Sequence, residues 1–384
     1  MSVCELIDTS ELIVIKIGTA LVVRPHDAAV KAEWLAALAQ DVQSLISAGK
    51  RIVIVSSGAV ALGRTAMGIA LTTRPSAIPL EVKQAASAVG QYHLFHAYQQ
   101  AFQQVEIPLA QVLLTMSETE NRRMHLNARA TLWALLDKGI IPVINENDTI
   151  STGEIRFGDN DRLAARVAQM IEADMVVLLS TISGLYASNP DIDPQAPHIP
   201  LVETLSAEHL AMAGEAVPGL STGGMKSKIE AAQSATLSGI SLVIAKGAEN
   251  HALGALVRDE TTLSTLFLAK KSAKNARKRW IGSHLKPKGR IFIDRGAVLA
   301  LQGGKSLLPV GVKRVEGVFE RGDVVEIYGD NHLDKDGQRL GMGIIAYGVH
   351  DALKITGQAS DKIAAIIGYE GRSELIHRND LVLG

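Results

Sequence analysis

Four stretches of this sequence combine residue types that can hold charged groups. Two are short glycine turns: Lys16-Ile17-Gly18-Thr19 and Ser56-Ser57-Gly58-Ala59. Glycine lets a backbone approach a ligand closely, and free N–H groups at helix starts attract anions. The third, Thr222-Gly223-Gly224-Met225-Lys226-Ser227-Lys228, sets two lysines at the opening of a helical stretch. Lysines there oppose the helix dipole, a conflict that a bound anion would remove. The fourth pairs Asn145-Glu146-Asn147-Asp148 with Gly158-Asp159-Asn160-Asp161. One Asp or Asn suffices to cap a helix. A cluster can also read an amino-acid head group, because a carboxylate accepts from an ammonium and an amide donates to a carboxylate.

Each turn taken alone is also what any tight strand-to-helix connection needs. The run from Gly219 to Ser227 comes close to a phosphate-binding P-loop, but Met225 intrudes before the lysine and no obvious buried strand precedes it. A Walker-type NTPase is therefore excluded while the phosphate-binding physics is kept. Eleven histidines form no HxH or HExxH pattern. His93 and His96 share a helix face without a third ligand, so they read as ordinary residues and no protein metal site is expected.

The elements that must position these groups alternate regularly. Leu12–Ile17, 51–55, 108–114, 140–144, 175–179 and 242–245 are short apolar runs rich in β-branched residues. Between them, stretches around 30–46, 80–105, 128–136, 162–170 and 225–237 carry apolar residues at helical spacing, the first stopped by Gly49. Strands apolar on both faces and joined by helices predict an α/β fold, an open and mainly parallel sheet sandwiched by helices. Ligands of such sheets sit beyond the carboxyl ends of the strands, where these junctions fall.

The pattern changes near residue 269. Residues 270–290 hold nine Lys/Arg and no acid, which reads as a solvated linker or as an RNA- or anion-binding face. Beyond it, 290–293, 323–327 and 341–347 are strand-like with little helix between them, a small β-rich domain. The expected division is 1–269, a basic linker over 270–289, and 290–384. A length of 384 residues also calls for more than one domain. Lys+Arg 39 against Asp+Glu 40 excludes a surface given over wholly to nucleic acid or anionic membrane. Cys4 is the only cysteine, so neither an intramolecular disulfide nor a cysteine zinc site is available, and a cytoplasmic protein is expected. The N-terminal stretch lacks a basic start before its apolar run, and no apolar segment nears the roughly 20 residues that span a bilayer.

Together, IKIGTA (15–20), VSSGAVALG (55–63), LNARATLWALLDKGIIPVINENDT (126–149), FGDNDRLAA (157–165), GLSTGGMKSKIEAA (219–232) and RKRWI (277–281) resemble the amino-acid kinase family, more narrowly its glutamate-phosphorylating branch. The C-terminal segments 289–301, 306–327 and 352–357 resemble a PUA domain. The resemblance spans nearly the whole chain, and the order of its motifs is what makes it specific. It implies ATP-dependent phosphorylation of the L-glutamate side-chain carboxylate to L-glutamyl 5-phosphate, the first step of proline biosynthesis, with Mg²⁺. It implies that Lys16 and Lys228 stabilise the transferring phosphoryl group, that Asp161 holds both lysines, and that Ser57, Asp148 and Asn160 bind glutamate. Nucleotide contacts are implied for Lys16, Gly18, Ser180, Thr181, Thr222, Gly223, Gly224, Met225, Lys226, Ser227 and Lys228, with Gly18 and Gly58 offering backbone N–H groups. Proline as feedback inhibitor, acting between Thr115 and Arg156, follows from the resemblance alone; a homo-oligomer is expected, as is a partner glutamyl phosphate reductase, because an acyl phosphate hydrolyses readily, and RNA contact by the PUA-like region is left open.

The sequence departs from the family at three places: Thr181 and Asn189 stand where acids are usual, and Ala20 where serine is common. That puts the nucleotide and metal contacts of the 180–190 segment in question. Two other readings are kept, an amino-acid kinase acting on acetylglutamate, aspartate or carbamate, and an RNA-binding protein with a degenerate kinase fold.

Overall fold

The computed structural model describes the chain except for residues 1, 71, 75–76, 151–159, 191, 213–223, 259–261, 270–286, 332–333, 370 and 384. It divides into two compact units, Met1–Ala273 and Lys274–Gly384. The basic stretch at 270–286 lies outside the described residues.

The first unit opens with α1 (Val3–Thr9), β1 (Leu12–Ile17), α2 (Thr19–Val22), α3 (Ala32–Ser47) and β2 (Arg51–Ser56). Then come α4 (Ala59–Ala66), α5 (Leu80–Gln103), β3 (Leu109–Leu114), α6 (Met116–Glu120), α7 (Arg122–Asp137) and β4 (Ile141–Glu146). Next are α8 (Asn160–Ile171), β5 (Met175–Ser180), β6 (Leu185–Tyr186), β7 (His198–Ile199) and β8 (Leu201–Val202). The unit closes with α9 (Ala207–Met212), α10 (Met225–Leu237), β9 (Ser241–Lys246), α11 (Ala252–Arg258) and β10 (Ser264–Phe267).

Eight of these strands form one sheet in the order β3-β4-β2-β1-β5-β9-β10-β8. The pairings are parallel except β10 against β9. The expected mainly parallel α/β sheet is thus observed. Alternation along β1 decides what each helix layer receives. Ile13, Ile15 and Ile17 enter the core shared with α3 and α5, while Leu12 and Val14 enter the core shared with α8 and α10. Lys16 follows the parity of Leu12 and Val14, so its side chain is carried toward α8 and α10. The same alternation in β2 turns Ser56 toward α5 and Ser57 toward α8. α8 earns its seat through Leu163, Ala164, Val167, Ala168 and Ile171, buried at helical spacing.

Helices α4 and α5 touch backbone to backbone. A Cβ added at Gly63 would lie 1.6 Å from the Ala86 carbonyl oxygen, and one at Gly90 would lie 1.8 Å from that of Ala59. Among the described residues no helix is long and apolar enough to cross a membrane.

The second unit holds β11 (Gly289–Ile293), α12 (Arg295–Gln302), β12 (Val312–Gly317), β13 (Val324–Asn331), β14 (Asp334–Ile344), α13 (Val349–Ile355), α14 (Ile363–Ile367) and β15 (Leu381–Leu383). Its sheet runs β12-β11-β13-β14-β15 around a core of Ile291, Ile293, Val325, Ile327, Phe319 and Ile345. The sequence reading expected little helix here, whereas among the described residues three short α-helices accompany the sheet. The best defined, α12, starts where the Asp294 side chain accepts from the Ala297 N–H at 2.8 Å. Helices of one or two turns are too short for apolar periodicity to show.

Candidate active site

Three charged side chains from three elements meet at the carboxyl end of β1. Lys16 Nζ lies 2.7 Å from Asp161 Oδ1, and Lys228 Nζ lies 2.8 Å from Asp161 Oδ2. Asp161 stands in the first turn of α8 and Lys228 in the first turn of α10, and all three residues are buried. Burying a charge is costly unless it is paired, and here two cations share one anion. Burial alone would push the Asp161 carboxyl up, but the two ammonium groups and their hydrogen bonds outweigh it and hold the group far below the usual carboxylate range. The cluster therefore keeps a net positive charge. Ser227 adds a hydroxyl 3.1 Å from Asp161 Oδ2.

A second polar cluster adjoins the first through the Asn160–Asp161 peptide. Asn160 Nδ2 donates to the Ser56 carbonyl at 2.9 Å, to Ser57 Oγ at 2.8 Å and to Asn145 Oδ1 at 3.1 Å. Three acceptors around one nitrogen fix the amide's orientation. The atom left over is Oδ1, buried without a hydrogen-bond partner among the described residues. The sequence reading used asparagine as a donor to a carboxylate; this geometry presents an acceptor instead. Asp148, 5% exposed, receives the Ser87 hydroxyl at 2.5 Å. Burial pushes its carboxyl above the usual range, and the Ser87 hydroxyl pulls it part of the way back. Asp148, after β4, and Asn160 Oδ1, at the start of α8, are thus two buried acceptors.

The remaining expected residues fall around these clusters. Gly18 precedes α2 and its N–H reaches the Leu179 carbonyl at 3.3 Å. Gly58 precedes α4 at φ 121°, a conformation suited to glycine. Ser180 ends β5, the neighbour of β1, and Thr181 follows it exposed to solvent. Gly224 caps α10 with open space where a side chain would project. Thr222, Gly223 and Asp159 lie outside the described residues. Met225 and the exposed Lys226 begin α10, beside buried Ser227 and Lys228. The dipole conflict foreseen for two lysines is thus relieved for Lys228 by Asp161, and Lys226 lies in water.

Residues 11–246 match the amino acid kinase family, and residues 289–367 match the PUA domain. A glutamate 5-kinase from Brucella anthropi is 48% identical over 371 residues, covering 97% of this chain and 95% of that protein. The glutamate 5-kinase of Brucella ovis is similar to the same extent, 48% over 371 residues. The chain belongs to the amino acid kinase family, in its glutamate 5-kinase branch. A solved UMP kinase from Ureaplasma parvum shows a TM-score of 0.48 and 14% identity over 67% of this chain and 98% of that one, too slight a likeness to bear on the site.

In this kinase three residues that support the site, Ser87, Gln91 and Tyr98, carry no motif signal. Asn145 orients Asn160, Ser56 Oγ meets Tyr98 Oη at 2.9 Å, and Gln91 Nε2 donates to the Glu146 carbonyl at 3.2 Å. Ser87, Gln91 and Tyr98 sit in an Ala- and Gln-rich helix, where a polar residue reads as solvent-facing. Their spacing of four and eleven residues, which returns to one helix face, was the available signal.

Proposed function

We propose that this chain transfers the γ-phosphoryl group of ATP to the side-chain carboxylate of L-glutamate, forming L-glutamyl 5-phosphate, the step that commits glutamate to proline. The observation that carries the reading is the meeting of Lys16 and Lys228 on Asp161, beside the polar cluster of Asn160, Ser57 and Asn145. A glutamate side chain, with a carboxyl pKa of about 4.3 in model peptides, is already the nucleophile at neutral pH. No general base is needed. The obstacle is repulsion between that carboxylate and the phosphates, and two buried ammonium groups lower it most where charge develops during transfer.

The head group is read separately. Asp148 and Asn160 Oδ1 accept from the α-ammonium, Ser57 fixes Asn160 and faces the substrate, and Gly58 opens α4 toward its carboxylates. The nucleotide phosphates lie along the starts of α2 and α10, at Gly18, Thr222–Gly224, Met225, Lys226 and Ser227. Ser180 and Thr181 border them from β5. Helix starts present unpaired N–H groups to such anions, but the Gly18 N–H is already given to the Leu179 carbonyl, so Gly18 contributes by leaving room for the backbone to approach the phosphates.

Among the described residues no group of three or more His, Cys, Asp or Glu could hold a metal ion. Those residues do not fit a dedicated Mg²⁺ cage. The metal enters, on this reading, with the nucleotide phosphates.

Residues 1–269 act as the kinase domain, 270–289 as linker and 290–384 as the PUA-like domain. The product is a reactive acyl phosphate, which supports hand-over to a glutamyl phosphate reductase. Proline, sharing glutamate's α-carboxylate and amine, is the expected inhibitor beside the Asn145–Asp148 segment, in a homo-oligomeric enzyme. Incubation with ATP, Mg²⁺ and an acceptor, trapping acyl phosphate as hydroxamate, tests the reading. Product with glutamate is expected. Product only with acetylglutamate, aspartate or carbamate would overturn the choice of substrate, and none with any of them would overturn the activity.

A further inference from the structure

Helix α5 carries a polar stripe on its buried face. Ser87, Gln91 and Tyr98 fall within about 40° of one another at 3.6 residues per turn. All three are buried. A buried polar group is tolerated when it is hydrogen-bonded, and each of these reaches a different partner near the candidate site. Ser87 holds the Asp148 carboxylate, Gln91 holds the Glu146 carbonyl, and Tyr98 meets Ser56. Gln111, on β3, approaches the Gln91 carbonyl oxygen at 3.5 Å and helps orient that amide.

The reach of these side chains depends on where α5 lies. A serine hydroxyl extends little beyond its backbone, so Ser87 can touch Asp148 only if the helix runs close to the segment after β4. The Gly63 and Gly90 contacts seat α5 directly on α4. The start of α4 is Gly58, next to Ser57. The closely seated α4–α5 pair thereby adjoins both Ser57 and Asp148.

We propose that Ser87 and Gln91 are positioning residues for the amino end of the substrate. Ser87 aims the Asp148 carboxylate, and Gln91 pins the backbone two residues earlier, at Glu146. They touch neither Lys16 nor Lys228, so their contribution falls on glutamate binding and not on the transfer step. The inference rests on the reading of Asp148 as acceptor of the α-ammonium.

Steady-state kinetics on the full-length protein tests it, with wild type, Ser87→Ala, Ser87→Thr and Gln91→Met compared in the hydroxamate assay. A hydrogen bond to a charged group lost in Ser87→Ala corresponds to roughly a tenfold or greater rise in the KM for glutamate. The KM for ATP is expected to move far less, and Ser87→Thr, which keeps the hydroxyl, to recover most of the loss. Gln91→Met is expected to shift the glutamate KM in the same direction. A rise in both KM values together, or a glutamate KM unchanged in Ser87→Ala and Gln91→Met alike, would overturn the proposal. Failure of wild type to make hydroxamate from glutamate would instead sink the functional reading beneath it.

Discussion

Lys16 and Lys228 grip opposite oxygens of one carboxylate, at 2.7 Å and 2.8 Å from Asp161. They come from a strand early in the chain and a helix late in it, and neither position explains the other without the fold. Strand parity sends Lys16 to the α8 side, and the packing of α8 on α10 brings the starts of both helices together. The consequence is a pair of buried cations held on one anion, next in sequence to Asn160 and the polar cluster around it.

Asp161 is the anchor of that pair. Asp161→Asn leaves two buried ammonium groups without their counter-charge, which typically costs about 3–5 kcal/mol of folding stability. Urea unfolding is expected to show a fall of that order, together with loss of turnover. An unchanged midpoint would mean that the lysines find other partners.

Asp148→Ala removes the buried carboxylate assigned to the head group. The KM for glutamate is expected to rise much more than that for ATP. Equal rises, measured by varying each substrate at saturation of the other, would count against a head-group role.

The two carboxylates answer pH differently. Asp161 is held far below the usual range, so acidification from neutrality leaves it ionised. Asp148 is raised by burial, so it takes up its proton at a higher pH than an ordinary aspartate and then no longer attracts an ammonium. In linkage terms its protonated form is the one favoured by folding, a contribution present at low pH and lost as pH rises past the folded pKa. For activity the expected result is an acid limb in kcat/KM for glutamate. Ser87→Ala removes the hydrogen bond that lowers this pKa and moves the limb to higher pH. A limb that stays in place would assign it to the substrate's own carboxyl.

Tyr98 is fully buried, and burial pushes its phenol up, against the Ser56 hydroxyl. Tyr98→Phe keeps the ring and removes that bond, at an expected cost of about 1 kcal/mol in denaturant unfolding. A cost near zero would show that the Ser56 hydroxyl is satisfied without it.

Much of this candidate site is legible in the sequence. Lys16 ends an apolar β-branched run, Asp161 opens an amphipathic stretch, and Lys228 opens another, so strand and helix ends converge by the ordinary logic of parallel sheets. The parts that were not legible depend on packing at a distance. Nothing in the local sequence of Ser87 or Gln91 distinguishes a polar residue facing Asp148 from one facing water. The direction of the Asn160 amide is set by Ser56, Ser57 and Asn145, which arrive from two other strands. In the C-terminal unit, helices as short as α12 and α13 fall below the length at which periodicity declares itself.

The most direct test of the central claim is to replace one ammonium and leave the head-group pocket intact. Lys228→Met should still bind glutamate with near wild-type affinity in a calorimetric titration, with thermal unfolding showing an intact fold. Its rate of acyl phosphate formation should fall by about 10²–10³ or more, the usual loss for one charge-stabilising donor. Near wild-type turnover in that variant would contradict the assignment of Lys16 and Lys228 as the groups that let two anions react.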